Sequence, residues 1–351
     1  MPRSDARIPA LRARASRAHG EFELLAAVRR SIGRGGRGVT VGIGDDAAVV
    51  RVDAASQRAG SSLVLTTDAM VEGVHFRRSW LTAQQIGVRA WRVAVSDISA
   101  MGARPRWVLL SLELPAGRAR MPERDVLALI RALGAEARRS GAALVGGNVS
   151  RGAALSVTVT VVGETAAKPV LRSGAKPGEV VFVTGNVGGS AAARLGLMRR
   201  TRSDGIRGAA SAYIRPPLRV AFAAEGCVRG LFSAMIDVSD GLLQDLGHMA
   251  DESKARIRID AAAIPVHPAA KRSQKDQGLE LALTGGEDYE LAFTAPERRA
   301  GAIAMLAARH RVAVTPIGFV ERGRPAVTDA AGRPFAFARA GFDHLRARSS
   351  R

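Results

Sequence analysis

Four short groups of carboxylates, each flanked by glycine, serine or threonine, are where this sequence could do chemistry. They are Gly42-Ile43-Gly44-Asp45-Asp46, Thr66-Thr67-Asp68 with Glu72, Asp237-Val238-Ser239-Asp240-Gly241, and Gly285-Gly286-Glu287-Asp288-Tyr289-Glu290. A fifth acid, Asp97, sits late in the largely apolar stretch Ala90–Met101. Each has an ordinary account by itself: a turn, a helix cap, a solvated helix end. Taken together they point to a metal–phosphate site. Adjacent carboxylates repel unless a cation or water relieves them. Carboxylate and hydroxyl oxygens are hard ligands suited to magnesium, which also takes phosphate oxygens. Glycine lets backbone approach a phosphate closely. With no histidine cluster alongside, the set suggests metal-bridged phosphate chemistry rather than zinc hydrolysis, with two or more magnesium ions between the acids and a nucleotide.

Three further stretches fit phosphate handling. Gly146-Gly147-Asn148-Val149-Ser150 reads as a turn after a short strand, with amides that could face a phosphate. Arg172, within Leu171–Gly178, offers a cationic partner for phosphate oxygens. Val183–Ser190 joins a strand to a helix N-terminus, which could hold an anion or be a plain cap. Other signals fail. Gly33, Gly35 and Gly38 fit a dinucleotide fingerprint but follow a helix and precede a strand, the wrong order. There is no P-loop, no H-E-x-x-H pair and no G-x-S-x-G elbow.

Elements that could position these residues follow from periodicity. Helices are predicted at Glu21–Ile32, Ala83–Met101, Pro122–Ser140, from Ser190, at Pro216–Glu225 and at Gly241–Ser253. Strands are predicted at Val39–Ile43, Ala47–Val52, Leu63–Thr67, Trp107–Leu114, Leu144–Val145, Leu155–Val162, Val180–Thr184, Ala234–Val238, Arg256–Ile259 and Glu290–Thr294. The Pro-, Gly- and base-rich segment Lys168–Gly178 reads as a connection between domains. The parse is an α+β chain of two mixed domains, 20–165 and 166–345. A basic, disordered extension over 1–19 precedes them and a tail over 346–351 follows.

Composition sets the outer limits. The chain has 351 residues, 52 Lys and Arg against 32 Asp and Glu, and a net charge of +20. Only five of the basic residues are Lys, the Arg excess is spread along the chain, and aromatics are 4%. That leaves few stacking platforms for bases, which argues against nucleic acid as a partner. No apolar run approaches the roughly 18 residues of a membrane span. The single cysteine, Cys227, excludes an internal disulfide framework and fits a cytoplasmic chain.

The ordered motif set resembles the thiamine-monophosphate kinase family, in the superfamily that includes aminoimidazole ribonucleotide synthetase and selenophosphate synthetase. The matching stretches are Gly20–Leu24, Gly42–Asp46, Thr66–Phe76, Val95–Gly102, Gly146–Ser150, Arg172–Gly178, Asp237–Gly241 and Leu283–Leu291, with a weaker match at Gly341–His344. The resemblance implies ATP-dependent phosphorylation of thiamine monophosphate to thiamine diphosphate. It marks Asp46, Thr66, Thr67, Asp68, Asp97, Asp237 and Asp240 as magnesium ligands, direct or through water. Among these, Asp46, Asp68, Asp97 and Asp240 would carry catalysis. Gly147, Asn148, Arg172 and Ser239 would contact ATP, and His75, Glu287 and Phe342 the thiamine substrate. Asn148 stands where many relatives have Asp, and Phe342 keeps only the ring of an aromatic position. The resemblance further implies a C-terminal α/β sandwich-like domain and a homodimer in which the N-terminal sheets of two chains pair. Selenophosphate synthetase looks for a reactive cysteine or selenocysteine near its N-terminus, and Cys227 is far from there.

Overall fold

The computed structural model describes residues 39–42, 45–51, 62–117, 120–199, 210–273, 277–335 and 337. The extension over 1–19, the helix expected over 21–32, the Gly33–Gly38 fingerprint and Phe342 lie outside the described residues.

The N-terminal half is built on a six-stranded sheet of order β1-β2-β3-β6-β4-β5. Its elements are β1 (Val39–Val41), β2 (Ala48–Val50), β3 (Ser62–Val71), α1 (Ala83–Ala100), β4 (Arg104–Pro115), α2 (Glu123–Arg139), β5 (Ala143–Gly152) and β6 (Ser156–Thr165). Only β4 and β5 run parallel; the other neighbours are antiparallel. In β6 the residues alternate, burying Val157, Val159 and Val161 on one face, as a half-covered antiparallel strand should. That face is covered by α1, whose start is fixed by a capping box between Thr82 and Gln85. Helix α1 is buried on most sides, because α2 covers its back and the C-terminal half packs against it. The other face of the sheet leaves Trp107 and Leu109 exposed, and Val145 and Val149 are exposed on the edge strand β5.

The C-terminal half is a second six-stranded sheet, of order β12-β9-β11-β7-β10-β8. Its strands are β7 (Val180–Thr184), β8 (Ala234–Asp237), β9 (Arg256–Ile259), β10 (Leu291–Ala295), β11 (Val314–Glu321) and β12 (Ala326–Thr328). Its helices are α3 (Gly189–Arg199), α4 (Val220–Val228), α5 (Leu242–Ser253), α6 (Pro268–Ser273), α7 (Gln277–Thr284) and α8 (Ala300–His310). Strands β7, β8 and β10 are buried along their whole length, because the sheet is covered on both faces. Val181, Val183 and Ile236 meet Leu242 and Leu246 of α5 on one side. Phe182, Met235 and Phe293 meet Phe222 of α4 and Ile303 of α8 on the other. The mixed α+β class and the sandwich-like second half are as expected.

Three sequence expectations are corrected. The strand expected at Leu144–Val145 continues through Gly146–Ser150 as β5, because β4 offers it a full parallel ladder. The helix expected from Pro216 begins only at Val220. The elements α6, α7, α8, β11 and β12 are additional to those expected.

Candidate active site

The acid cluster forms where the two halves meet. The end of α1 packs against β8, and backbone bonds from Val170 to Met101 (3.2 Å) and from Met235 to Leu171 (3.0 Å) stitch the connection down. This brings Asp97, late in α1, beside Asp237 at the end of β8 and Asp46 just before β2. One carboxylate oxygen from each of Asp46, Asp97 and Asp237 lies within 4.8 Å of the other two. Asp46 Oδ2 and Asp237 Oδ2 are buried without a hydrogen-bond donor. Thr66 donates its hydroxyl to Asp97 Oδ2 at 2.5 Å. Asp68, two residues along β3, shares that face of the strand and adds to the field on Asp97.

The cost of this arrangement shows in its acidities. Burial, then the neighbouring Asp237, Asp46 and Asp68, raise Asp97 well above the usual carboxylate range. Burial and then Asp46 push Asp237 up to about 8 and Asp45 up to about 7. Buried carboxylate oxygens with no donor, grouped this closely, fit a hard divalent cation. Arg172 supplies part of the missing positive charge. Its Nη2 donates to Asp46 Oδ1 at 2.7 Å, and its backbone N–H lies 3.3 Å from both Asp45 oxygens. Burial works against the guanidinium's charge, but Asp46, Asp45 and Asp237 outweigh that and raise its pKa. Arg172 is thus poised at the acid cluster, engaged with a carboxylate.

After β8 the chain turns sharply through Ser239, Asp240 and Gly241 into α5. Asp245, in the first turn of α5 and 2% exposed, accepts the backbone N–H groups of all three at 3.0–3.1 Å. A single internal carboxylate therefore holds the loop that carries Ser239 and Asp240. Sequence reasoning missed Asp245, although its place in the first turn of a helix after Ser-Asp-Gly was a usable signal.

The run Gly285–Glu290 is fastened along most of its length. Glu287 N–H donates to Ser239 O at 2.6 Å, Tyr289 N–H to Val238 O at 2.8 Å, and Val238 N–H to Glu290 O at 2.7 Å. Gly286 must lack a side chain, since a Cβ there would stand 2.4 Å from Ser239 O. Glu287 takes a positive φ of 72° and turns its carboxylate to Arg89, 2.6 Å from the guanidinium. Asp288 accepts the N–H groups of Gly188 (2.5 Å) and Ser190 (3.1 Å), so the start of α3 that could have held an external anion is capped by the chain's own carboxylate. Glu290 forms a bidentate pair with Arg219, both contacts 2.6 Å, and accepts the Thr184 hydroxyl at 2.6 Å.

The remaining expected residues are placed as follows. His75 lies in the turn after β3; its Nδ1 accepts the Val71 N–H at 3.0 Å and its carbonyl accepts the Tyr213 hydroxyl. Thr67 follows Thr66 in β3. Strand alternation puts its hydroxyl on the opposite face from Thr66 and Asp68, 3.0 Å from Thr160. Gly147 and Asn148 lie in mid-strand, opposite Leu110 and Ser111, instead of in a phosphate-facing turn. Gly147 is required by the close ladder, where a Cβ would stand 1.8 Å from Leu110 O. Asn148 is exposed along this sheet-edge strand.

Comparison with known proteins finds relatives along nearly the whole chain. Residues 44–165 match the AIR synthase related protein N-terminal domain, and residues 176–329 match the corresponding C-terminal domain. The thiamine-monophosphate kinase of Salmonella typhimurium is 36% identical over 334 residues, 93% of this chain and 98% of that protein. Among solved structures, AaThiL complexed with AMPPCP and TMP superposes with a TM-score of 0.79 at 30% identity, covering 93% of this chain and 97% of that one. The thiamine-monophosphate kinase of Stenotrophomonas maltophilia does so at 0.73 and 32%, covering 92% and 98%. With this degree of likeness across nearly the whole length of both chains, the protein belongs to the thiamine-monophosphate kinase family.

Proposed function

We propose that this chain transfers the terminal phosphoryl group of ATP to thiamine monophosphate, giving thiamine diphosphate. The carrying observation is the convergence of Asp46, Asp97 and Asp237, with orphaned buried oxygens, beside a loop ladder that also holds Glu287. The acceptor is a phosphate monoester with a second pKa near 6, largely a dianion at neutral pH. It needs no side-chain base, and the work left to the protein is positioning and charge.

Asp46, Asp97 and Asp237 would hold magnesium, with Thr66, Asp68 and Asp240 as neighbours on the same side. Bound there, magnesium would neutralise the repulsion between two polyanionic substrates. Arg172 would exchange its Asp46 contact for a nucleotide phosphate once that acid is otherwise neutralised. Ser239 sits in the loop fixed by Asp245, which keeps its position relative to Asp237. Gly147 and Asn148 remain proposed ATP contacts. His75, Glu287 and Phe342 would receive the thiamine rings.

The exposed Trp107 and Leu109 on the open face of the N-terminal sheet support a homodimer paired through the N-terminal sheets. The proposed domains are 20–165 and 166–345. The single cysteine is buried, and no helix among the described residues is long and apolar enough to cross a membrane; both accord with a cytoplasmic enzyme.

The test is incubation with ATP, magnesium and a panel of phosphate-ester acceptors, read by product mass. Thiamine diphosphate should form with thiamine monophosphate alone. Phosphorylation of another acceptor, or ATP consumption independent of acceptor, would overturn the proposal.

A further inference from the structure

Arg89 is fully buried on α1, eight residues before Asp97, and the acid cluster does not use it. Its Nη2 lies 2.6 Å from Glu287 Oε1, and its Nη1 donates to the Tyr213 carbonyl. The guanidinium stacks on the Tyr213 ring at 3.9 Å, with the Tyr289 ring at 6.0 Å. Tyr213 in turn donates its hydroxyl to the His75 carbonyl. One cation thus ties together the loop bearing Glu287 and, through Tyr213, the turn bearing His75.

Stability alone is a poor reason for such a group. A buried guanidinium loses its hydration, and replacing a buried ion pair by apolar side chains is often neutral or favourable. Here the pairing is incomplete, since Arg89 Nε is buried without a partner. What the arrangement does achieve is orientation. Glu287 sits at a positive φ with its side chain 20% exposed, and one of its two oxygens is held by Arg89. Holding one oxygen fixes the direction in which the other is presented. Eight helical residues also set Arg89 about 12 Å along the axis from Asp97, a separation comparable to the long axis of a two-ring phosphate ester.

We infer that Arg89 is a positioning residue for acceptor recognition: through Glu287 directly, and through Tyr213 to His75, it fixes the two side chains that receive the thiamine rings relative to the acid cluster on the same helix. The inference rests on the function proposed above.

The test compares wild type, Arg89→Lys, Tyr213→Phe, Glu287→Gln and the double variant Arg89→Lys with Glu287→Gln. KM for thiamine monophosphate, KM for ATP and kcat are measured separately, alongside a thermal melt. Arg89→Lys keeps the charge but loses the fork. It should raise KM for thiamine monophosphate roughly tenfold or more, the scale of one charge-assisted hydrogen bond, while KM for ATP and kcat move less than about threefold. In the Glu287→Gln background the same change should add little. Tyr213→Phe removes one hydroxyl and should raise the same KM selectively, which keeps the test open if Arg89→Lys fails to fold. An equal rise in both KM values, or additive effects in the double variant, would overturn the positioning role. Wild type that leaves thiamine monophosphate untouched would instead refute the proposed function, and the comparison would then be repeated with the acceptor it does use.

Discussion

Replacing Asp97 by Asn should stabilise the metal-free protein while it disables the enzyme. Three carboxylate oxygens within 4.8 Å of one another form three repelling pairs. A fully ionised pair at that distance costs about 3.5 kcal/mol at an effective dielectric of about 20. Protonation and Arg172 relieve part of this, so removing one charge should return about 1–3 kcal/mol at pH 8, a rise of a few degrees in melting temperature. Asn is the appropriate probe because its amide oxygen can still accept the Thr66 hydroxyl. The pH dependence has a definite sign. Asp237 is raised from the ordinary 3.8 to about 8, so the folded chain binds more protons than the unfolded one between those values. Metal-free stability should therefore fall as pH rises from about 4 to about 8, and Asp97→Asn should flatten that fall. The assay is calorimetric melting in chelator from pH 5 to 8.5, repeated in excess magnesium, where wild type should gain more than the variant. A variant that melts at or below wild type in chelator at pH 8 would refute the close grouping of the three acids.

Other outcomes follow from single contacts. Asp68→Asn should lower turnover by orders of magnitude with an unchanged melting curve; near-normal turnover in saturating magnesium would remove Asp68 from the site. Asp245→Ala strips the acceptor from three loop amides and should cost about 2–4 kcal/mol together with most of the activity, read by urea unfolding and kcat. Arg219→Ala leaves Glu290 buried beside Thr184 and should cost about 3–5 kcal/mol. Arg219→Lys should recover part of that in the same unfolding assay. Trp107→Arg, on the open sheet face, should shift the sedimentation coefficient to that of a monomer without changing the far-ultraviolet dichroism.

The sequence made some parts of this architecture legible and hid others for physical reasons. Asp46, Asp97 and Asp237 could be singled out because a carboxylate at the end of an apolar run must be solvated, paired or coordinated, and glycine beside it marks a close approach. Helices α1 and α2 were readable because amphipathic periodicity and flanking Gly and Pro act locally. The course of β5 was hidden, since two consecutive glycines read as a turn until a parallel neighbour supplies the ladder. Thr67 is a different case: period-two alternation in β3 already separates it from Thr66 and Asp68. Arg89 and Arg219 were out of reach, because their partners lie 198 and 71 residues away and nothing in local spacing announces them.

The ladder joining Val238–Ser239 to Glu287–Glu290 continues the β8–β10 pairing beyond the strands themselves. Its amides belong to the same cooperative unit as the buried sheet, so their hydrogen exchange should proceed only by the opening that exposes β8 and β10. The loop bearing the metal acids and the loop bearing Glu287 therefore cannot breathe independently. A new acceptor would have to be accommodated by changing side chains on this frame, because the frame itself cannot shift without unzipping the sheet.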